Sequence, residues 1–163
     1  NVYAPGHYDL IGPAAATNRV DPMLVLGVIR QESLFDPRAL SRAGARGLMQ
    51  LMLPTARQMA RASGNLEPNA DDLFRPEISV RYGTQYLRDK IAEFDGRVEV
   101  ALAAYNAGEA KAREWAALLP AWDPDLYVEL IGYAETRDYV RRVRYNQATY
   151  RALYAPTGGA ELE

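Results

Sequence analysis

The chain has no cysteine and a single histidine among its 163 residues. The first absence excludes disulfides, thiolate metal sites and a cysteine nucleophile together. The second excludes zinc sites built on paired histidines and forces any serine triad to run through His7. No HExxH pattern, EF-hand loop or Walker A motif is present, so neither metal nor cofactor is expected. Long apolar runs are missing, and no segment is long enough to be read as a transmembrane span. Charge of one sign is not in excess either: 19 basic residues stand against 21 acidic, for a net charge of −2. A nucleic-acid partner therefore has no global electrostatic support. The chemistry must come from carboxylates, hydroxyls and amides.

What is there is ordinary globular material, 48% hydrophobic and 25% charged, in a length that suits one domain. Helix signals recur along most of it. Asp21-Pro22 pairs an N-cap side chain with proline at the first helical position, ahead of a periodic run over Met23–Leu34. Pro54-Thr55 opens a second helix that stops near Gly64, and Pro76 opens a long third one that ends at Asp95-Gly96. Val98–Asn106, Glu109–Leu118, Leu126–Ile131 and Thr136–Tyr154 follow with helical patterning. Tyr8–Ala16 is interrupted by Gly12 and Pro13, lacks a basic n-region, and does not read as a signal peptide. No alternating run argues for a sheet. The expectation is an all-α, mainly helical single domain. Two segments stand apart as loops on this scaffold: Ser41–Leu53, where Met49 and Gln50 read as exposed beside glycines, and Leu119–Asp125 around Trp122.

Glu32 is the sharpest feature. Val25, Val28 and Ile29 define an apolar stripe at helical spacing, and Glu32 falls in the middle of it. It also sits in the last turn of its helix, where the dipole repels negative charge. Burial and dipole both raise the pKa of a carboxyl above its ordinary value of about 4.3. A carboxylic acid kept protonated near neutrality is the general acid that glycosidic cleavage needs. The plainer alternative is a structural one, in which Glu32 pairs with Arg30 or caps the loop that follows.

From Glu32 onward the chain carries a set of ordered motifs. They are Glu32-Ser33, then Ser41 with Gly44-Ala45 and Gly47-Leu48-Met49-Gln50, then Pro54-Thr55-Ala56. Ala104-Tyr105-Asn106-Ala107-Gly108 and Tyr133-Ala134-Glu135-Thr136-Arg137-Asp138-Tyr139-Val140 complete it. In this order and over residues 22–150, the pattern resembles the catalytic domain of bacterial soluble lytic transglycosylases. That resemblance implies a lysozyme-like fold with a glycan-binding groove, and peptidoglycan glycan strands as the partner. It implies cleavage of the β-1,4 bond between N-acetylmuramic acid and N-acetylglucosamine without water, leaving a 1,6-anhydromuramoyl end. Glu32 would be the single catalytic acid and then base. The residues agree insofar as no obvious second carboxylate accompanies Glu32; Asp36 lies four positions on, but Pro37 makes it a turn residue.

By the same resemblance the substrate is bound by Ser41, Gln50, Met52, Tyr105, Asn106, Glu135 and Tyr139, with no metal. Each has a plainer reading. Ser41 suits a turn, Gln50 the surface, Met52 a core filler and Tyr105 a core aromatic. Glu135 suits the N-terminal end of a helix, which it shares with Tyr139 one turn on. Gly44 and Gly47 let backbone approach a ligand, or permit positive φ in a turn. Arg137, Arg141, Arg142, Arg144 and Arg151 make a basic final helix, read first as a solvated face pairing with acids and second as a contact for a peptidoglycan carboxylate or a neighbouring domain. Trp115 and Trp122 fit sugar stacking or the core equally. In domain terms the chain divides into an N-terminal segment over 1–20, the catalytic domain over 21–155 and a flexible end over 156–163. Enzymes of this type often carry a helical superstructure ahead of the catalytic domain, so an upstream helical domain is expected in the full protein. The expected location is the cell envelope, periplasmic or exported. The alternatives are a goose-type lysozyme-like muramidase that hydrolyses the same bond, and a catalytically silent glycan-binding module.

Overall fold

A computed structural model describes residues 3–154, so the expected flexible end over 156–163 lies outside the described residues. Among those described there are eight α-helices and no strand. They are α1 (Tyr8–Asn18), α2 (Pro22–Ser33), α3 (Leu53–Ala62), α4 (Pro76–Glu93), α5 (Val98–Ala107), α6 (Glu109–Ala116), α7 (Pro124–Leu130) and α8 (Ala134–Tyr154), with one 3-10 turn at Asp71–Phe74. The proline-marked starts at Pro22, Pro54 and Pro76 each fall in the first two positions of a helix, and Pro124, read from sequence as part of a loop, opens α7 in the same way behind the Asp123 cap. Proline suits that place because its missing N–H has no intrahelical partner there.

α2 is the axis of the molecule. Every residue from Met23 to Ile29 is buried, so this helix is covered on all sides and not along one stripe alone. α8 packs along it, and Gly27 permits the approach: a Cβ there would stand 2.9 Å from the Val143 carbonyl oxygen and 3.2 Å from the Gln147 nitrogen. Asp21 fastens both helices. One carboxyl oxygen caps α2 by accepting from the Met23 N–H at 2.9 Å, and the other accepts from Gln147 at 2.7 Å and Arg151 at 2.5 Å on α8.

α1 has no counterpart among the helices read from sequence. Gly12 and Pro13 weaken its signal, and Pro13 stands inside the helix. Tertiary burial makes up the deficit, because Ile11 and Ala15 are fully buried and α1 packs on α2 and α4. Two apolar clusters result. The larger spans α1, α2, α4, α5 and α8; the smaller joins Leu51, Ala56, Met59, Ala60, Leu73 and Tyr82. Tyr105, near the end of α5, packs against both.

The segment from Leu40 to Leu51 is irregular, held by isolated bridges between Leu40 and Arg46 and between Arg46 and Leu51. Met49 departs from its expected exposure. It is fully buried, because its side chain fills the space that Gly83 leaves on α4. Gly47 has φ +77°, and a Cβ there would stand 2.0 Å from the Leu73 carbonyl oxygen. The close approach that Gly47 permits is thus to the protein's own backbone.

Candidate active site

Glu32 lies in the last turn of α2, partly buried, where its helix meets α8. The Tyr139 hydroxyl donates to Glu32 Oε1 at 2.8 Å. Arg30 does not pair with Glu32; it carries its guanidinium over the Tyr3 ring, 4.1 Å from the centroid. Among the described residues no cation forms an ion pair with this carboxyl, so burial dominates and raises its pKa to about 7, against the opposing bond from Tyr139. Tyr139 is itself buried, and burial together with the nearby Glu32 charge holds its hydroxyl well above the ordinary tyrosine value. It stays a donor across the range in which Glu32 titrates.

A depression of about 340 Å³ opens at this carboxyl, lined by Gln31, Glu32, Asn106, Glu135, Asp138, Tyr139 and Arg142. Four of the residues picked from sequence meet there: Glu32, Asn106, Glu135 and Tyr139. Asn106, exposed at the end of α5, accepts from the Thr136 hydroxyl at 2.8 Å, which ties the end of α5 to the start of α8. Glu135 is exposed on the first turn of α8. The depression also brings a carboxylate that the sequence reading did not pair with Glu32. Asp138 lies one helical turn beyond Glu135, and both line the same space as Glu32. The argument from a missing second carboxylate therefore does not survive: folding places two more carboxyls at the site.

The other four do not line the depression. Tyr105 donates its hydroxyl to the Met49 carbonyl oxygen at 2.7 Å, and its ring lies 5.2 Å from that of Tyr86. Burial, with Glu32 as a secondary influence, holds its hydroxyl far above the ordinary value, so it too remains a donor. Ser41 accepts from the Ala45 N–H at 3.0 Å and closes its own turn. Gln50 spends its side-chain amide on the Ala39 and Gly47 carbonyl oxygens, at 3.0 and 2.9 Å. Met52 stands 41% exposed just ahead of α3, a surface position in place of the core filler its type suggests.

Ser33 joins the two parts of the site. Its hydroxyl lies 2.8 Å from the Leu48 carbonyl oxygen, so the end of α2 is tied to the same loop that Tyr105 holds at Met49. Its motif was legible but its role was not. Gln31 was missed, Asp138 was quoted in its motif without a role, and Arg142 was read only as one of the arginines of a basic helix, although Glu135, Asp138, Tyr139 and Arg142 share one face of α8 by spacing alone. Neither tryptophan lines the depression: Trp115 is buried, and Trp122 sits under Arg97 at 5.1 Å.

Comparison with known proteins extends this geometry. Residues 9–125 match the transglycosylase SLT domain family. The soluble lytic murein transglycosylase of Escherichia coli K12 is 33% identical over 147 residues, which is 88% of this chain and 22% of that protein. Membrane-bound lytic murein transglycosylase F of Alcanivorax borkumensis is 39% identical over 111 residues, 64% of this chain and 22% of the relative. The lytic transglycosylase Slt of Pseudomonas aeruginosa, solved as an inactive mutant, superposes with a TM-score of 0.89 at 31% identity, over 93% of this chain and 25% of that one. The all-α, lysozyme-like fold is thus shared, and this chain spans about a quarter or less of the length of these relatives.

Proposed function

This chain belongs to the transglycosylase SLT domain family, and on that premise we propose that it cleaves peptidoglycan as a lytic transglycosylase. The substrate is the β-1,4 bond between N-acetylmuramic acid and N-acetylglucosamine. One observation carries the reading: a carboxyl at the edge of a depression, paired with no cation among the described residues and raised by burial to about 7. A pKa near neutral pH keeps a protonated fraction to donate and leaves, after donation, a carboxylate basic enough to take a proton back.

Glu32 first gives its proton to the leaving glycosidic oxygen as the C1–O4 bond breaks. Tyr139 engages Oε1, which leaves Oε2 for the reacting oxygens. The substrate's own 2-acetamido group stabilises the oxocarbenium-like centre, in the manner of substrate-assisted exceptions to the two-carboxylate scheme. The Glu32 carboxylate then takes the proton of the C6 hydroxyl as O6 bonds to C1, closing the anhydro ring and restoring the acid. Ring closure is intramolecular and has a large effective molarity in its favour over attack by water. The substrate is bound by Asn106, Glu135 and Tyr139 beside the acid and by Met52 farther along the groove. Tyr105, Ser41 and Gln50 shape the loop from which the groove is built. We assign the catalytic unit to 21–155, with α1 of the 1–20 segment packed against it, and its place of action to the cell envelope.

Glu135 and Asp138 favour a second reading on one point, because either can hold a water at the same depression. Such a site would hydrolyse the bond as a goose-type muramidase does. The products separate the two. Muropeptides from digested sacculi, weighed without borohydride reduction, are expected to be lighter by one water than hydrolysed counterparts; predominantly hydrated, reducible ends would establish the hydrolase instead.

A further inference from the structure

α4 buries a charge that the reaction above does not use. Lys90 lies in the last turn of that helix, with a side chain only 7% exposed. Its ammonium bonds Glu93 at 2.8 Å and also bonds Glu109, the first residue of α6. Desolvation pushes the ammonium pKa down, but the bonds to Glu109 and Glu93 outweigh it, and the pKa lies above its ordinary value. Lys90 therefore keeps its charge inside the protein at neutral pH. Stability is a poor reason for such a group, because a buried ion pair often holds a fold no better than well-packed apolar side chains of the same volume.

What Lys90 touches points to another role. One turn earlier on α4, the Tyr86 ring faces the ammonium, 5.1 Å from Nζ to the ring centroid. The same ring stands 5.2 Å from that of Tyr105 on α5, whose hydroxyl holds the Met49 carbonyl oxygen. Glu109 comes three residues after Asn106, and Gly108 between them turns the chain from α5 to α6 at φ +90°. Asn106 in turn lines the Glu32 depression and accepts from Thr136. One ammonium thus reaches the α5–α6 corner from two sides, through the Tyr86 ring to Tyr105 and through Glu109 to the chain that follows Asn106. Arg113 is the contrast. It also joins α6 to α4, bonding the other Glu93 oxygen at 2.5 Å with its guanidinium over the Phe94 ring, and among the described residues it bonds neither Tyr86 nor Glu109.

We propose that Lys90 is a positioning residue for the reaction, a clamp that fixes Tyr105 and Asn106 at the α5–α6 corner beside the Glu32 depression. This rests on the transglycosylase reading above and adds to it a residue outside both the depression and the motifs. Two charge-assisted bonds and a cation–π contact in a nearly dry site hold the ammonium in one place. An apolar side chain of the same length fills the space but exerts no pull on Glu109.

The test compares three variants in kinetics, melting and NMR. Lys90→Met keeps the length of the side chain and leaves Glu93 with Arg113 and Glu109 half-exposed to water. It should melt within about 3 °C of the parent. On soluble, uncross-linked peptidoglycan its kcat should fall about tenfold or more with a smaller change in KM, the loss expected when positioning groups move by about 1 Å or less. Glu109→Gln should follow it in kcat, and decides the question if Lys90→Met does not fold. Arg113→Gln should keep the parent kcat. In NMR spectra of the substrate-free protein, the Asn106 side-chain amide and Tyr105 ring signals should move in the first two variants and stay in the third. Parent-like kcat in both Lys90→Met and Glu109→Gln overturns the proposal. Equal loss in all three variants overturns it as well, since α4 and α6 would then need only to be fastened together. The NMR comparison needs no turnover: a parent that never cleaves sacculi refutes the catalytic reading, whereas unmoved Asn106 and Tyr105 signals refute the clamp alone.

Discussion

Glu32 owes its chemistry to its surroundings. Removing its proton donor while keeping its shape is the direct test. Glu32→Gln still accepts the Tyr139 hydroxyl and should lower turnover of sacculi by at least about a hundredfold, the low end of what a general acid contributes. Activity near the parent level would move the acid elsewhere. The pH profile gives a second test. With Glu32 in the proposed role of general acid, kcat/KM should fall as pH rises through about 7. Tyr139→Phe removes the bond that favours the carboxylate, so that limb should shift to higher pH while the rate drops. An unmoved limb would mean that burial alone sets the pKa. Tyr105→Phe deletes a hydroxyl that holds the Met49 carbonyl, and should reduce turnover by a smaller factor than Glu32→Gln. Its cost should appear in stability also, at about 1–3 kcal/mol, because a buried acceptor loses its donor.

Between elements, the crossing of α2 and α8 decides whether Tyr139 reaches Glu32 at all. Gly27→Ala puts a methyl 2.9 Å from the Val143 carbonyl oxygen, so the helices must part. Thermal unfolding should show a loss of about 1–3 kcal/mol, in the range of overpacking, and activity should fall with it as the Tyr139 bond lengthens. A variant as stable and as active as the parent would mean that the crossing tolerates a wider gap. Asp21 works at the other end of the same pair of helices. Burial pushes its carboxyl up, but bonds from Gln147, the Met23 N–H and Arg151 outweigh it, and the pKa lies below the ordinary value. Its contribution is present above the ordinary carboxylate range and lost as pH falls through the lowered pKa.

For the whole molecule Glu32 has the opposite sign. Its folded pKa of about 7 stands above the ordinary value of 4.5, so the native state binds the proton more tightly than the unfolded chain. Stability from this residue is complete below about pH 4.5 and is lost as pH rises through 7, by about 3 kcal/mol at most. Glu32→Gln should therefore melt higher than the parent at pH 8 and close to it at pH 4. A uniform offset across that range, in scanning calorimetry, would show that Glu32 is no more costly to ionise in the folded state than in the unfolded chain. Activity and stability thus pull against each other at this position.

The sequence by itself determined the helices from α2 to α8, three of their proline-marked starts, the family motifs and the candidate acid, because each rests on short-range periodicity, capping or a contiguous pattern. A carboxyl on an apolar stripe in a final helical turn is legible without any partner. Its partners are not. Whether Tyr105 or Tyr139 would reach Glu32 depends on how closely two helices far apart in sequence can cross, and Gly27 settles that only once Val143 lies against it. The burial of Met49, the helix built across Pro13 and the arrival of Asp138 and Arg142 beside the acid have the same origin. Each depends on surfaces meeting over long range. Local chain propensities carry no term for that.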